Sequence, residues 1–124
     1  MAIIPFRVEV EVEPDGVHTI SVRGELDLNT APELERPLEQ ALADPDARIL
    51  LDLSGCEFID STGVALVVRS WQRHDAAAAG NGNGGRLVLC CPGAQVRKLL
   101  EITGVGQTIP THHDRNGALA DLNG

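Results

Sequence analysis

The chain opens on a two-residue rhythm. Phe6, Val8, Val10 and Val12 alternate with Arg7, Glu9, Glu11 and Glu13, as a half-buried strand requires. Pro14-Asp15-Gly16 supplies turn residues, and Thr19 to Val22 continues as a second strand, so the pair reads as a hairpin. Gly24-Glu25-Leu26-Asp27 follows as a polar loop at the strand end. The period then changes to that of a helix. Thr30-Ala31-Pro32-Glu33 has the T-x-x-E form of a capping box with proline in the first turn. Ala31, Leu34, Leu38, Ala41 and Leu42 trace one helical face. Pro37 interrupts it, and an interior proline costs about 3 kcal/mol, so a kink or a later helix start is expected there. Asp44-Pro45-Asp46 ends the element.

The run Ile49 to Leu53, broken only by Asp52, reads as a strand buried on both faces. A polar turn is expected at Ser54-Gly55-Cys56-Glu57, before Phe58-Ile59 leads into Asp60-Ser61-Thr62-Gly63. Val64, Val67, Val68 and Trp71 then mark a helix running from Ser61 to about Ala78. Valine is a poor helix former, so burial must hold this helix. The Gly/Asn tract 80–85 reads as a flexible loop. Arg86 to Cys91 is another apolar strand, stopped by Pro92-Gly93. Val96, Leu99 and Leu100 give a short helix closed by Gly104, Thr108-Ile109 a short strand, and Ala118 to Leu122 a last helical turn or two. This order predicts an α/β fold: one domain over 1–124 with its core at about 6–110, a mixed sheet of four to five strands, and about four helices packed on it.

Composition narrows the partners. A net charge of −8 argues against nucleic acid and against an anionic membrane surface, since both are bound through Lys and Arg. No apolar run approaches the roughly 20 residues of a membrane span, and the N-terminus lacks the basic start and apolar core of a signal peptide. Three cysteines, an odd number, point to free thiols in a reducing cytoplasm.

Candidate chemistry centres on Ser61. It stands where a strand and loop hand over to a helix, whose first turn has unpaired amides and positive dipole character. Asp60 or Ser61 can cap that turn, and Ser61 can equally carry a phosphate. No histidine or lysine base sits at a recognisable motif spacing from Ser61, and no G-x-x-x-x-G-K-[ST] loop is present, so no catalytic residue and no cofactor are expected. Cys90 and Cys91 adjoin on a strand and are expected to face opposite sides. Together with His112-His113 they lack zinc-site spacing, so no metal is expected either.

Gly24-Glu25-Leu26-Asp27, Asp52-Leu53-Ser54-Gly55 and Phe58-Ile59-Asp60-Ser61-Thr62-Gly63 stand in the order found in STAS domains. From Phe6 to the end of the Val96 helix the chain resembles that family, and within it the bacterial anti-sigma factor antagonists. Gly63-Val64-Ala65 replaces the Gly-Leu-Gly usual after the serine pair, a mild departure. The resemblance implies a STAS-like fold and a partner-switching role. The unphosphorylated antagonist binds an anti-sigma factor that is also a serine kinase, which frees a sigma factor. Phosphorylation then ends the binding, and a PP2C-type phosphatase reverses it. The acceptor maps onto Ser61, ahead of Thr62, and the partner-binding surface onto Asp27, Asp60, Ser61, Thr62, Gly63 and Val64. A monomer or weak dimer is expected. The alternatives are a non-catalytic scaffold subunit of a stress-sensing or lipid-transport assembly, and a nucleotide-binding domain.

Overall fold

A computed structural model describes residues 5–81 and 86–123. The elements follow one another as β1 (Arg7–Val12), β2 (His18–Leu26), α1 (Ala31–Leu42), β3 (Arg48–Ile59), α2 (Ser61–Asn81), β4 (Arg86–Cys90), α3 (Ala94–Thr103), α4 (Val105–Thr108), β5 (Thr111–His112) and α5 (Arg115–Asn123). The five strands lie in their sequence order, with β1 antiparallel to β2 and the remaining neighbours parallel. Each parallel step crosses through a helix, and successive steps run in one direction across the sheet. Right-handed crossovers therefore put α1, α2 and α3 on the same face. Their apolar stripes close over Ile20, Val22, Ile49, Leu51, Leu53, Leu87 and Leu89. On the other face α5 covers Leu50, Val88 and Cys90 with Ala118 and Leu122. Thus Ile49, Leu50, Leu51 and Leu53 are buried from both sides of the sheet, as the near-continuous apolar run predicts, with Asp52 the half-buried interruption.

The hairpin turn is held by Asp15, whose Oδ1 accepts the Val17 amide at 3.1 Å, with Gly16 at φ 92°. The Val17 amide, ahead of the Asn123 side chain and Arg48, holds the Asp15 carboxyl below the usual range. Gly104 closes α3 in the left-handed conformation at φ 78°, as expected of a C-cap. Among the described residues no helix is long and apolar enough to cross a membrane.

Several expectations are corrected. The alternation of β1 is present, but only Phe6 and Val8 pack on the core, while Val10 and Val12 are 52% and 60% exposed. They pair with Ile20 and His18 on the outermost strand of the sheet. β2 continues through Gly24-Glu25-Leu26, because parallel pairing with β3 offers those groups partners out to Leu26 and Ile59. For the same reason Ser54 to Glu57 is strand rather than turn. The polar residues are absorbed by register shifts between Ser21 and Arg23 and between Gly24 and Glu25. α1 starts at Ala31 and is continuous through Pro37; its buried face, Leu34, Leu38, Ala41 and Leu42, offsets the lost bond. α2 extends to Asn81, so Gly80 and Asn81 of the expected loop are helical, and 82–85 lie outside the described residues. Its buried stripe is Gly63, Leu66, Val67, Ser70 and His74, with Val64, Val68 and Trp71 at its flank. Thr108 belongs to α4, and the last strand lies at Thr111–His112.

Candidate functional site

Leu26 and Ile59 are register partners at the carboxyl ends of β2 and β3. The segments after them, Asp27 to Thr30 and Asp60 to Gly63, therefore emerge side by side, where open parallel sheets form their sites. Asp60 ties the two together. Its amide donates to the Leu26 carbonyl at 3.1 Å, and its Oδ2 accepts the Leu28 amide at 3.2 Å. Its Oδ1 accepts the Gly63 amide at 3.0 Å and its carbonyl the Val64 amide at 3.0 Å. Asp60, not Ser61, is thus the N-cap of α2.

Ser61 is left free. It is exposed, and among the described residues its hydroxyl has no hydrogen-bond partner and the amides of Ser61 and Thr62 have no acceptor. Thr62 is half-buried beside it. Gly63 is buried, and a Cβ there would lie 2.8 Å from Ile59 Cγ1 and 2.9 Å from both Leu26 Cγ and the Leu26 carbonyl oxygen. Only glycine lets α2 begin this close to the strand ends. Val64 packs half-buried against the core. Asp27 shares the loop cluster, but its Oδ1 accepts from the Asn29 amide at 2.9 Å and the Thr30 amide at 3.1 Å. The expected capping box is not formed. The Thr30 hydroxyl donates instead to the Glu25 carbonyl at 2.7 Å and accepts the Asp27 amide at 2.9 Å. Asp60, Ser61 and Thr62 therefore come together with Asp27 at the sheet's carboxyl edge, while Gly63 and Val64 serve as packing beneath.

Around this edge lies apolar surface that the sequence pattern does not single out. Leu28, whose amide Asp60 holds, is 69% exposed, Phe58 37% and Ile102 72%. Phe58, Ile59, Leu99 and Ile102 line a shallow depression of about 170 Å³, edged by Gln95 and Lys98. The available signals were an apolar residue inside a polar loop (Leu28) and one off the Val96-Leu100 face (Ile102). His74 was missed as well. It is buried on the inner face of α2, with Nε2 2.7 Å from the Ala47 carbonyl, and it continues the spacing of Gly63, Val67 and Ser70.

A second cluster sits on the α5 face. Asp52 of β3 and Cys90 of β4 are register partners and so point to the same side. Cys91, just past the strand, has φ 65°, and this turns its side chain back until the two sulfurs are 2.8 Å apart. The expectation of opposite faces is therefore corrected, because alternation holds only while the backbone stays extended. Burial, then the Cys91 thiol and Asp52, push the Cys90 thiol up. Cys56 is separate and buried, its thiol raised by burial and donating to the Phe58 carbonyl at 3.3 Å.

Comparison with known proteins gives one family. A family model described as the STAS domain matches residues 9–118. The anti-sigma-B factor antagonist of Staphylococcus aureus is 33% identical over 91 residues, covering 73% of this chain and 79% of that protein. The crystal structure of an anti-sigma factor antagonist from Mycobacterium paratuberculosis superposes with a TM-score of 0.82 at 28% identity, covering 97% of this chain and 96% of that one. SpoIIAA, a Bacillus cell fate determinant solved in unphosphorylated and phosphorylated forms, shares the fold with TM-scores of 0.73 and 0.66 at 23% and 24% identity, over 94% of this chain and 96% and 97% of those chains.

Proposed function

Because the chain belongs to the STAS domain family, we propose that it is an anti-sigma factor antagonist whose Ser61 loop binds an anti-sigma factor that is also a serine kinase, and that phosphate on Ser61 ends the binding. In this reading residues 1–124 are a single non-catalytic domain, monomeric or weakly dimeric, working in the cytoplasm. A PP2C-type phosphatase restores the serine. The observation that carries the reading is the division of labour at the head of α2: Asp60 caps the helix and joins the two loops, so Ser61 is exposed with nothing to lose on modification. The partner would rest on Ser61, Thr62 and Asp27 and on the apolar surface of Leu28, Phe58 and Ile102, of the kind that marks protein interfaces.

The magnitudes suit a switch. A phosphoserine adds about −1.5 to −2 charges. The helix dipole favours it by roughly 0.3–1 kcal/mol, whereas a unit negative charge about 4 Å away costs roughly 1 kcal/mol in water and about 4 at an intermediate dielectric. Asp60, half-buried and engaged as the helix cap, supplies repulsion of the first kind. An acidic group on a docked partner would supply the second, and each 1.4 kcal/mol is about tenfold in affinity.

The test is the intact mass of the protein from its native host, with the site mapped, in growth and under stress. A single phosphate on Ser61 is expected, together with loss of kinase binding in Ser61→Asp. Phosphate on Thr62 would keep the family and overturn the acceptor. Absence of phosphate under all conditions would refute the switch.

A further inference from the structure

The geometry of the α5 face points to a site unconnected with Ser61. We propose that Asp52, Cys90 and Cys91 form a binding site for one thiophilic divalent cation, with Zn2+ as the candidate.

Three observations carry this. The two thiols and the carboxylate bring one ligand atom each within 4.8 Å of one another, the span that a single ion bridges. Two sulfurs and one oxygen suit a borderline-soft cation such as zinc rather than calcium or magnesium, which prefer oxygen throughout. Second, the convergence is built rather than incidental. Cys91 holds a positive φ that L-residues rarely adopt, and its amide is fixed to the His112 carbonyl of β5 at 2.9 Å. Such outliers gather where function needs them. An extended Cys91 would face away from Cys90. Third, the charges close. Two thiolates and a carboxylate carry −3, which a divalent ion and the neighbouring Arg115 guanidinium bring to zero.

Binding is an acid-releasing exchange: the dithiol plus Zn2+ gives the zinc dithiolate plus two protons. Zinc-sulfur bonds of about 2.3 Å at a tetrahedral angle need the sulfurs roughly 3.8 Å apart. Rotation of the half-exposed Cys91 side chain supplies the opening, while Cys90 stays fixed in the core. Three protein ligands leave the fourth position to water.

The experiment is a titration of the reduced full-length chain with Cd2+, read by its thiolate charge-transfer absorption, and with Zn2+ against a chromophoric chelator. One equivalent per chain is expected, with about two protons released per ion. Cys91→Ser should abolish the band, and Asp52→Asn should weaken binding at least tenfold. Cys56→Ser, which removes the third cysteine, should bind as wild type does. Cys91 is half-exposed, so its serine variant should keep the fold, which circular dichroism checks. Absence of the band, its survival in Cys91→Ser, or half an equivalent per chain would overturn the site.

Discussion

Gly63→Ala sets two effects of opposite sign against each other, and the structure decides between them. Gly63 is the third residue of α2, and alanine is favoured over glycine in a helix by up to about 1 kcal/mol. That gain assumes open space. Here the new methyl would meet Ile59 Cγ1 at 2.8 Å and Leu26 Cγ and the Leu26 carbonyl oxygen at 2.9 Å, well inside the ~3.5–4.0 Å at which carbon contacts are favourable. The side chains can give a little. The carbonyl cannot easily, because it accepts the Asp60 amide at 3.1 Å within the β2-β3 pairing. Overpacking of this kind costs about 1–3 kcal/mol. We expect a net destabilisation of about 1–2 kcal/mol, which moves the urea midpoint down by roughly 0.5–1 M for a slope near ~2 kcal/mol/M. Gly106→Ala is the control: α4 leaves open space around its Cβ, so a gain of about 0.4–1 kcal/mol is expected. If Gly63→Ala instead matches Gly106→Ala in sign, the close seating of α2 on the strand ends is wrong.

Asp60→Ala removes a helix cap and the link to Leu28, and should cost about 1–2 kcal/mol in denaturant unfolding, whereas Asp60→Asn, which still caps, should cost less. Ser61→Ala and Ser61→Asp should each leave stability within about 1 kcal/mol of wild type, since the hydroxyl is exposed and unbonded; a larger loss would mean that Ser61 supports the fold. For Asp15 the folded pKa lies below its ordinary value, so its ionised form stabilises the hairpin above the usual carboxylate range, and that contribution is lost as pH falls through the lower folded value. The stability advantage of wild type over Asp15→Asn should therefore shrink on acidification below pH ~4, and an advantage that does not change with pH would contradict the assignment.

The sequence reading succeeded where a local pattern and the tertiary environment agree. Ile49 to Leu53 has only one way to be that apolar, and Asp60 to Gly63 joins a strand to a helix by cap chemistry that is local. It failed where a distant partner redefines a residue. Ser54 to Glu57 looks like a turn until β2 offers a parallel neighbour, and then Gly55 nests against Arg23 while Cys56 turns inward. Thr30 looks like a cap, yet the Glu25 carbonyl at the end of β2 takes its hydroxyl. The backbone reversal at Cys91 has no sequence signature, because a positive φ is written only by glycine or asparagine with any regularity.

β1 ends the sheet, and its outer row of amides and carbonyls meets no strand among the described residues. With Val10 and Val12 exposed beside it, this is a template on which a second chain could build. Glu9, Glu11 and Glu13 stand along the same strand and the turn after it, so two copies approaching edge to edge would bring like charges into opposition. These glutamates then act on the colloid rather than on the fold. Glu9→Gln with Glu11→Gln should leave the unfolding midpoint where it was and shorten the time a concentrated solution stays clear, most of all in low salt, where screening has not already taken away the barrier that the wild-type charges supply.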